Sequence, residues 1–258
     1  MKCKGVKVSV LMSVYNEEKF LAEAIDSVLN QTMKDFEIIL VDDNSKDNTL
    51  KIAKSFSTKD NRIKVIKLKK NKYRSGGLNE ALKHTRGEYI AFLDGDDLYN
   101  KDKLKIQSEF MDKNPKTDIV YGILRLFGED NRFNTPIKVK GKNLKKILKK
   151  RAKENLKDIR VGEFLGLKGA FGSANMMIKR KIFKNCKFDA KLKRTQDYDL
   201  IFQMIGKEYK FTSLSGKALY YYRIHKNMSI KNHKEMNKNR DYILKKLKKG
   251  VYFKWEFF

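Results

Sequence analysis

Five apolar, β-branched runs, each but the last followed by a stretch of helical periodicity, fill residues 6–127 of this 258-residue chain. The runs are 6–14, 36–41, 62–68, 88–93 and 118–127. The first, 6–14, is apolar and β-branched, as a buried strand should be. Between them, Phe20, Leu21, Ala24, Ile25, Val28 and Leu29 recur at helical spacing within 17–29. Asn44 or Ser45 can cap a second helix running to about residue 56. Leu78, Ala81 and Leu82 mark a third helix that stops near Gly87, and 101–113 a fourth that Asn114-Pro115 ends. Strands alternating with helices imply a largely parallel sheet with crossover connections, hence an α/β fold.

After Gly128 this rhythm breaks. Leu144, Ile147, Leu148, Ala152 and Leu156 draw one apolar stripe on a basic helix. Residues 171–178 and 217–223 read as strands and 196–206 as a helix. Met236, Ile243, Leu247 and Val251 put a second stripe on a basic C-terminal helix. No repeat and no Gly/Ser/Pro linker divides the chain. The expectation is one domain over 1–232, in two halves (6–127 and 128–232), with a basic helical extension over 233–258.

Composition narrows the class. Apolar residues make up 41% and there are only 2 prolines, which excludes a disordered chain. The two cysteines, Cys3 and Cys186, are too few for a disulfide framework. No apolar run reaches the 18 residues or so that span a bilayer, and the short run after Lys2 and Lys4 lacks a small-residue cleavage site. The chain therefore reads as cytoplasmic. Its net charge is 59 − 31 = +28. Residues 138–160 carry 11 basic and 2 acidic side chains, and 226–254 carry 10 and 2, which leaves the remainder much closer to neutral. Such segments suit an anionic surface, including the inner face of a membrane on which the chain would be peripheral. The plainer reading is solvated lysine-rich helix faces.

Ligands of an open parallel sheet bind beyond the C-terminal ends of its strands. Three polar clusters fall there: Ser13-Val14-Tyr15-Asn16-Glu17, Asp42-Asp43-Asn44-Ser45 and Asp94-Gly95-Asp96-Asp97. Carboxylates two apart on a turn aim oxygens at one hard divalent cation, Mg²⁺ or Mn²⁺; the alternative is an Asp-rich turn capping the next helix. Asp43 suits an imino N–H of a nucleobase, or else a helix dipole. Lys72 and Arg74 can meet phosphates or remain loop charges. Ser75-Gly76-Gly77 is not a dinucleotide fingerprint.

The order and spacing of the three clusters resemble glycosyltransferase family 2, inverting enzymes of the GT-A fold. The resemblance covers 6–127. It continues more thinly through Thr195-Gln196-Asp197-Tyr198-Asp199 and Tyr222-Arg223-Ile224-His225. It implies a Rossmann-like, mostly parallel sheet flanked by helices, and a nucleotide-sugar donor, most often a UDP-sugar. It implies that Ser13, Tyr15, Glu17 and Asp43 hold the nucleoside, that Asp94 contacts the nucleotide, and that Asp96 ligates Mn²⁺ or Mg²⁺ with His225 completing the site. Asp197 matches the general base, although Gln196 stands where the family often has an acid. Leu78 stands where many members have Arg, so the phosphate contact falls to Lys72, Arg74 or Arg223. The acceptor implied is a glycan or a lipid-linked hydroxyl. A nucleotidyltransferase would need a basic, Gly-rich loop where this chain has Tyr15-Asn16-Glu17-Glu18. A nucleic-acid or membrane-surface binding protein would rest on the +28 charge alone.

Overall fold

The computed structural model describes residues 5–128, 136–137, 173–225 and 233–252. The expected helix with its stripe from Leu144 to Leu156, the motif residues 226–229 and the aromatic tail 253–258 lie outside them. β1 (Val8–Val14) runs parallel to β2 (Phe36–Asp42) on one side and to β4 (Tyr89–Phe92) on the other, and β2 runs parallel to β3 (Ile63–Lys67). The helices α1 (Leu21–Leu29), α2 (Thr49–Lys59) and α3 (Tyr73–Leu82) supply the crossovers.

β5 (Leu98–Tyr99) and α4 (Lys103–Lys113) then lead to β6 (Ile119–Gly128). The short β7 (Pro136–Ile137) pairs with β6, and β8 (Met176–Lys179) inserts antiparallel between β4 and β6. After α5 (Gln196–Gly206), the long β9 (Phe211–Ile224) lies parallel to β6 and pairs β5. The sheet order is 3-2-1-4-8-6-9-5. It is parallel through β3, β2, β1 and β4 and mixed beyond. The apolar runs were legible as strands, but an apolar run carries no mark of the direction in which its neighbour will lie.

The sheet separates two cores, and period-two alternation assigns side chains to them. Val8, Val10, Met12 and Val14 of β1 pack with Leu21, Ile25, Leu104 and Met111; Leu11 faces the other side with Leu78, Phe92, Leu200 and Met204.

Two helix starts differ from the sequence reading. α1 begins at Leu21, after a turn in which the amides of Phe20 and Leu21 bond the Glu17 carbonyl. α2 begins at Thr49, and neither Asn44 nor Ser45 caps it. Ser45 Oγ instead accepts the Asn16 amide at 3.1 Å, and Asp47 accepts the amides of Thr49 (2.9 Å) and Glu18 (3.1 Å). These short polar side chains tie two loops together rather than closing a helix end.

The basic C-terminal helix packs against the domain. In α6 (His233–Lys248), Ile243 and Leu247 are buried in the same core as Leu200 and Met204 of α5. Two residues of the stripe expected over 236–251, Ile243 and Leu247, are thus covered by protein, while Val251 is 58% exposed. Lys246 Nζ and the Tyr252 hydroxyl both bond Asp199, which is fully buried. Among the described residues, no helix is long and apolar enough to cross a membrane.

One buried cation generates a prediction. Lys103 is fully buried, donates to Gln107 Oε1 and lies 4.8 Å from the Tyr99 ring centroid. Burial pulls its pKa down to about 7. The unfolded chain therefore binds more protons between pH 7 and about 10.5, so stability rises with pH across that window. Lys103→Met should raise the melting temperature by several degrees near pH 6.5 and flatten its rise toward pH 10. Melting curves at three pH values check this, and a variant that melts lower at pH 6.5 contradicts it.

Candidate active site

β1, β2 and β4 end at Val14, Asp42 and Phe92, and because they are parallel the three loops that follow meet at one edge. They wall a cleft of about 710 Å³ into which Tyr15, Glu17, Asp43, Asp94, Asp96 and His225 project. Ser13 and Tyr222 also line it. Ser13 meets α3, where a Cβ added at Gly77 would stand 2.0 Å from Ser13 Oγ. Gly77 thus lets the helix approach β1 closely and brings Arg74 to the cleft.

On the β2 side, Asp43 Oδ1 accepts the Lys72 amide at 2.6 Å, and burial pushes its carboxyl pKa up. Tyr15 is 44% exposed at the mouth and Tyr73 is 42% exposed opposite. Asn16, Asn44 and Tyr73 all hold positive φ, near 60°, around the rim. Such strain gathers where surrounding structure overdetermines the backbone. The Glu17 amide bonds Thr49 Oγ1 at 2.7 Å. Its carboxyl is pushed up to about 8, first by burial and then by Asp96 and Asp94.

The four residues 94–97 serve different ends. Asp94 Oδ1 takes a 2.7 Å hydrogen bond from Arg74 Nε. Asp96 Oδ2 lies 2.9 Å from His225 Nε2, which Phe20 flanks at a ring distance of 5.0 Å. Asp97 does not face the cleft. It is fully buried and accepts the Tyr220 hydroxyl (2.6 Å) and the Arg223 amide (2.8 Å). Arg223 is likewise turned away from the cleft. Its Nε donates to the Asp96 carbonyl at 2.7 Å, another nitrogen meets Glu23, and its guanidinium sits between the Phe20 and Phe127 rings. Its cation holds the 94–97 turn to the end of β9. Arg74, in contrast, lines the cleft and bonds its carboxylates directly.

Asp197 enters from α5. Thr195, with φ 57°, is the N-cap and makes no side-chain cap bond, so Asp197 lies within the first turn instead of capping it. Its Oδ1 accepts Arg74 at 3.0 Å and Ser173 Oγ at 2.8 Å. One guanidinium thus bridges Asp94 and Asp197, and the two carboxylates raise its pKa further. Asp199, two residues on, is fully occupied by Lys246, Tyr252 and Gln203. Ser173 carried no sequence signal: it lies 24 residues from Asp197 and 99 from Arg74, and only the folded chain joins them. Among the described residues, no group of three or more His, Cys, Asp or Glu converges as a metal cage; Asp96 and His225 form a pair.

Residues 9–185 match the model of the family described as glycosyl transferase family 2. The chain belongs to that family. The chain is similar to a glycosyltransferase of Methanocaldococcus jannaschii, 35% identical over 94% of this chain and 74% of that one. The UDP-Glc:α-D-GlcNAc-diphosphoundecaprenol β-1,3-glucosyltransferase of Escherichia coli is 37% identical over 51% of this chain and 52% of its own. Among solved structures, S. aureus TarS in complex with UDP superposes with a TM-score of 0.64 at 25% identity, over 84% of this chain. This chain spans 60% of that one. A Pyrobaculum calidifontis mannosyltransferase, in complex with GDP-Man and Mn²⁺, is alike in fold at 15% identity and a TM-score of 0.63. The α/β architecture of this family 2 member is thus the GT-A fold expected from its motifs.

The brace at Asp97 yields a test. Asp97→Ala would leave two buried donors without an acceptor, at a cost of roughly 1–3 kcal/mol each. Denaturant unfolding should show a loss of roughly 2–5 kcal/mol. A loss below about 0.5 kcal/mol, the scale of an ordinary surface change, would remove Asp97 from the fold's support.

Proposed function

We propose that this chain transfers a sugar from a nucleotide-sugar donor, a UDP-sugar, to a hydroxyl of a glycan or lipid-linked acceptor, with inversion at the anomeric carbon. The observation that carries this is the bridge Asp94–Arg74–Asp197, which sets the candidate base beside the candidate donor subsite. The TarS complexes with UDP and UDP-GlcNAc support the donor class, and the lipid-linked diphosphate substrate in the E. coli relative's name supports the acceptor class.

In this reading Tyr15 and Asp43 receive the nucleoside, with Ser13 beneath it and Glu17 beside it. Arg74 takes the phosphate contact, since Arg223 is committed to the protein. Asp96 and His225 would hold Mn²⁺ or Mg²⁺. The carboxylate oxygen of Asp96 suits such a hard ion, and the crowding of Glu17, Asp94 and Asp96 favours a cation among them. A cation bound there neutralises charge on the departing diphosphate. The acceptor hydroxyl is a poor nucleophile, so Asp197 takes its proton as the hydroxyl oxygen bonds the anomeric carbon. The bond from that carbon to the diphosphate oxygen breaks on the opposite face, which inverts the centre. Arg74 stabilises the charge that gathers on the leaving group.

Two measurements test this. In a thermal-shift panel of nucleotide sugars, a UDP-sugar should raise the melting temperature with Mn²⁺ present and much less without it, because a ligand that binds only the native state stabilises it. Asp96→Ala should abolish the Mn²⁺-dependent part and leave the fold intact; unchanged Mn²⁺-dependent affinity by calorimetry removes Asp96 from the site. Asp197→Asn should keep UDP–Mn²⁺ affinity while transfer falls by roughly 10²–10⁴. Near-native transfer with donor binding intact would defeat the assignment of the base.

A further inference from the structure

We propose that Ser173 is a positioning residue for Asp197: its hydroxyl holds one carboxylate oxygen so that the other is presented to the acceptor. This rests on the reading of Asp197 as the base.

The geometry assigns the direction of each bond. Ser173 Oγ lies 2.8 Å from Asp197 Oδ1 and 3.5 Å from an Arg74 nitrogen. A guanidinium only donates, so the serine's single proton goes to the carboxylate. Arg74 donates to the same Oδ1 at 3.0 Å. Two donors on one oxygen fix the plane of the carboxylate. Among the described residues Oδ2 receives no hydrogen bond from the protein, so its lone pairs are the ones left to accept a proton.

The two donors are unequal. Arg74 is shared with Asp94 at 2.7 Å, on the side where a diphosphate arrives, and a diphosphate competes strongly for a guanidinium. Ser173 has no such rival. It is 1% exposed, and it sits on a 3₁₀ turn, Ser173–Asn175, that leads directly into β8. β8 is wedged between β4 and β6. Asn175 anchors the same turn: its side chain donates to the Gly122 carbonyl, and its own carbonyl accepts Gln107 at 3.2 Å. Ser173 is therefore placed by the centre of the sheet and not by a loop. It keeps its hold on Asp197 when Arg74 turns toward a donor. This follows the general logic by which a base is oriented by a third group.

The test is a double-mutant cycle on UDP release from a UDP-sugar, with water or an added acceptor. Ser173→Ala should lower kcat by about 10–100-fold, the worth of a hydrogen bond to a charged group. Donor KM and UDP–Mn²⁺ affinity should stay within about twofold of the parent, the margin within which positioning is separable from a folding defect. Ser173→Thr keeps the hydroxyl and should recover most of the rate. On an Asp197→Asn background, Ser173→Ala should add no further loss, because the serine acts only through that carboxylate. A Ser173→Ala loss that persists undiminished on that background overturns the positioning role, as does an equal loss in the Thr variant. Native turnover in Asp197→Asn alone overturns the base assignment instead, so the two failures are distinguishable.

Discussion

The site depends on holding several carboxylates in one place without letting their repulsion open the sheet. Glu17, Asp43, Asp94 and Asp96 line one cleft, and Asp197 joins them through Arg74. All but one have a partner that answers the charge. Arg74 serves Asp94 and Asp197 together. His225 meets Asp96 and the Lys72 amide meets Asp43. Glu17 is the exception: burial, and then Asp96 and Asp94, push its carboxyl up to about 8. Acidic side chains thus gather at one cleft, beside Lys19, Arg74, Lys193 and Arg194, within a chain whose net charge is +28. Charge totals describe the whole surface, and a site can carry the opposite sign.

That balance spans both halves of the chain. The first four strands bring three acidic loops together, but Asp197, Ser173 and His225 come from α5, from the turn before β8 and from just beyond β9. One link between the halves is Asp97. By accepting the Tyr220 hydroxyl and the Arg223 amide, it fixes the end of β9 against the turn that carries Asp94 and Asp96. Arg223 completes the joint from the other direction through the Asp96 carbonyl. A residue that looks like a fourth candidate ligand is a structural clasp.

The late helices follow the same economy. The Asp199, Lys246 and Tyr252 cluster, with Ile243 and Leu247 beneath it, seats α6 against α5. A basic amphipathic helix reads equally well as a membrane-facing element or as a packed one, because both need one apolar stripe among cations. The presence of α5 beside it decides which.

The sequence by itself determined the α/β class and the edge at which the site would form. Alternating apolar runs and helical periodicity are local signals, and the ends of parallel strands coincide wherever helices cross between them. Tyr15, Asp43, Asp94 and Asp96 were legible for that reason. Their motifs lie within a few residues of the strands that place them. Tertiary structure alone decided which cation faces them, since Arg74 and Arg223 are alike in sequence and differ only in what surrounds them. It also decided that Asp97 braces the fold, that α6 is packed, and that Ser173 stands beside Asp197. Those outcomes depend on contacts across tens to more than a hundred residues. The partners of such contacts are chosen by the packing of the whole sheet, and no local pattern records them.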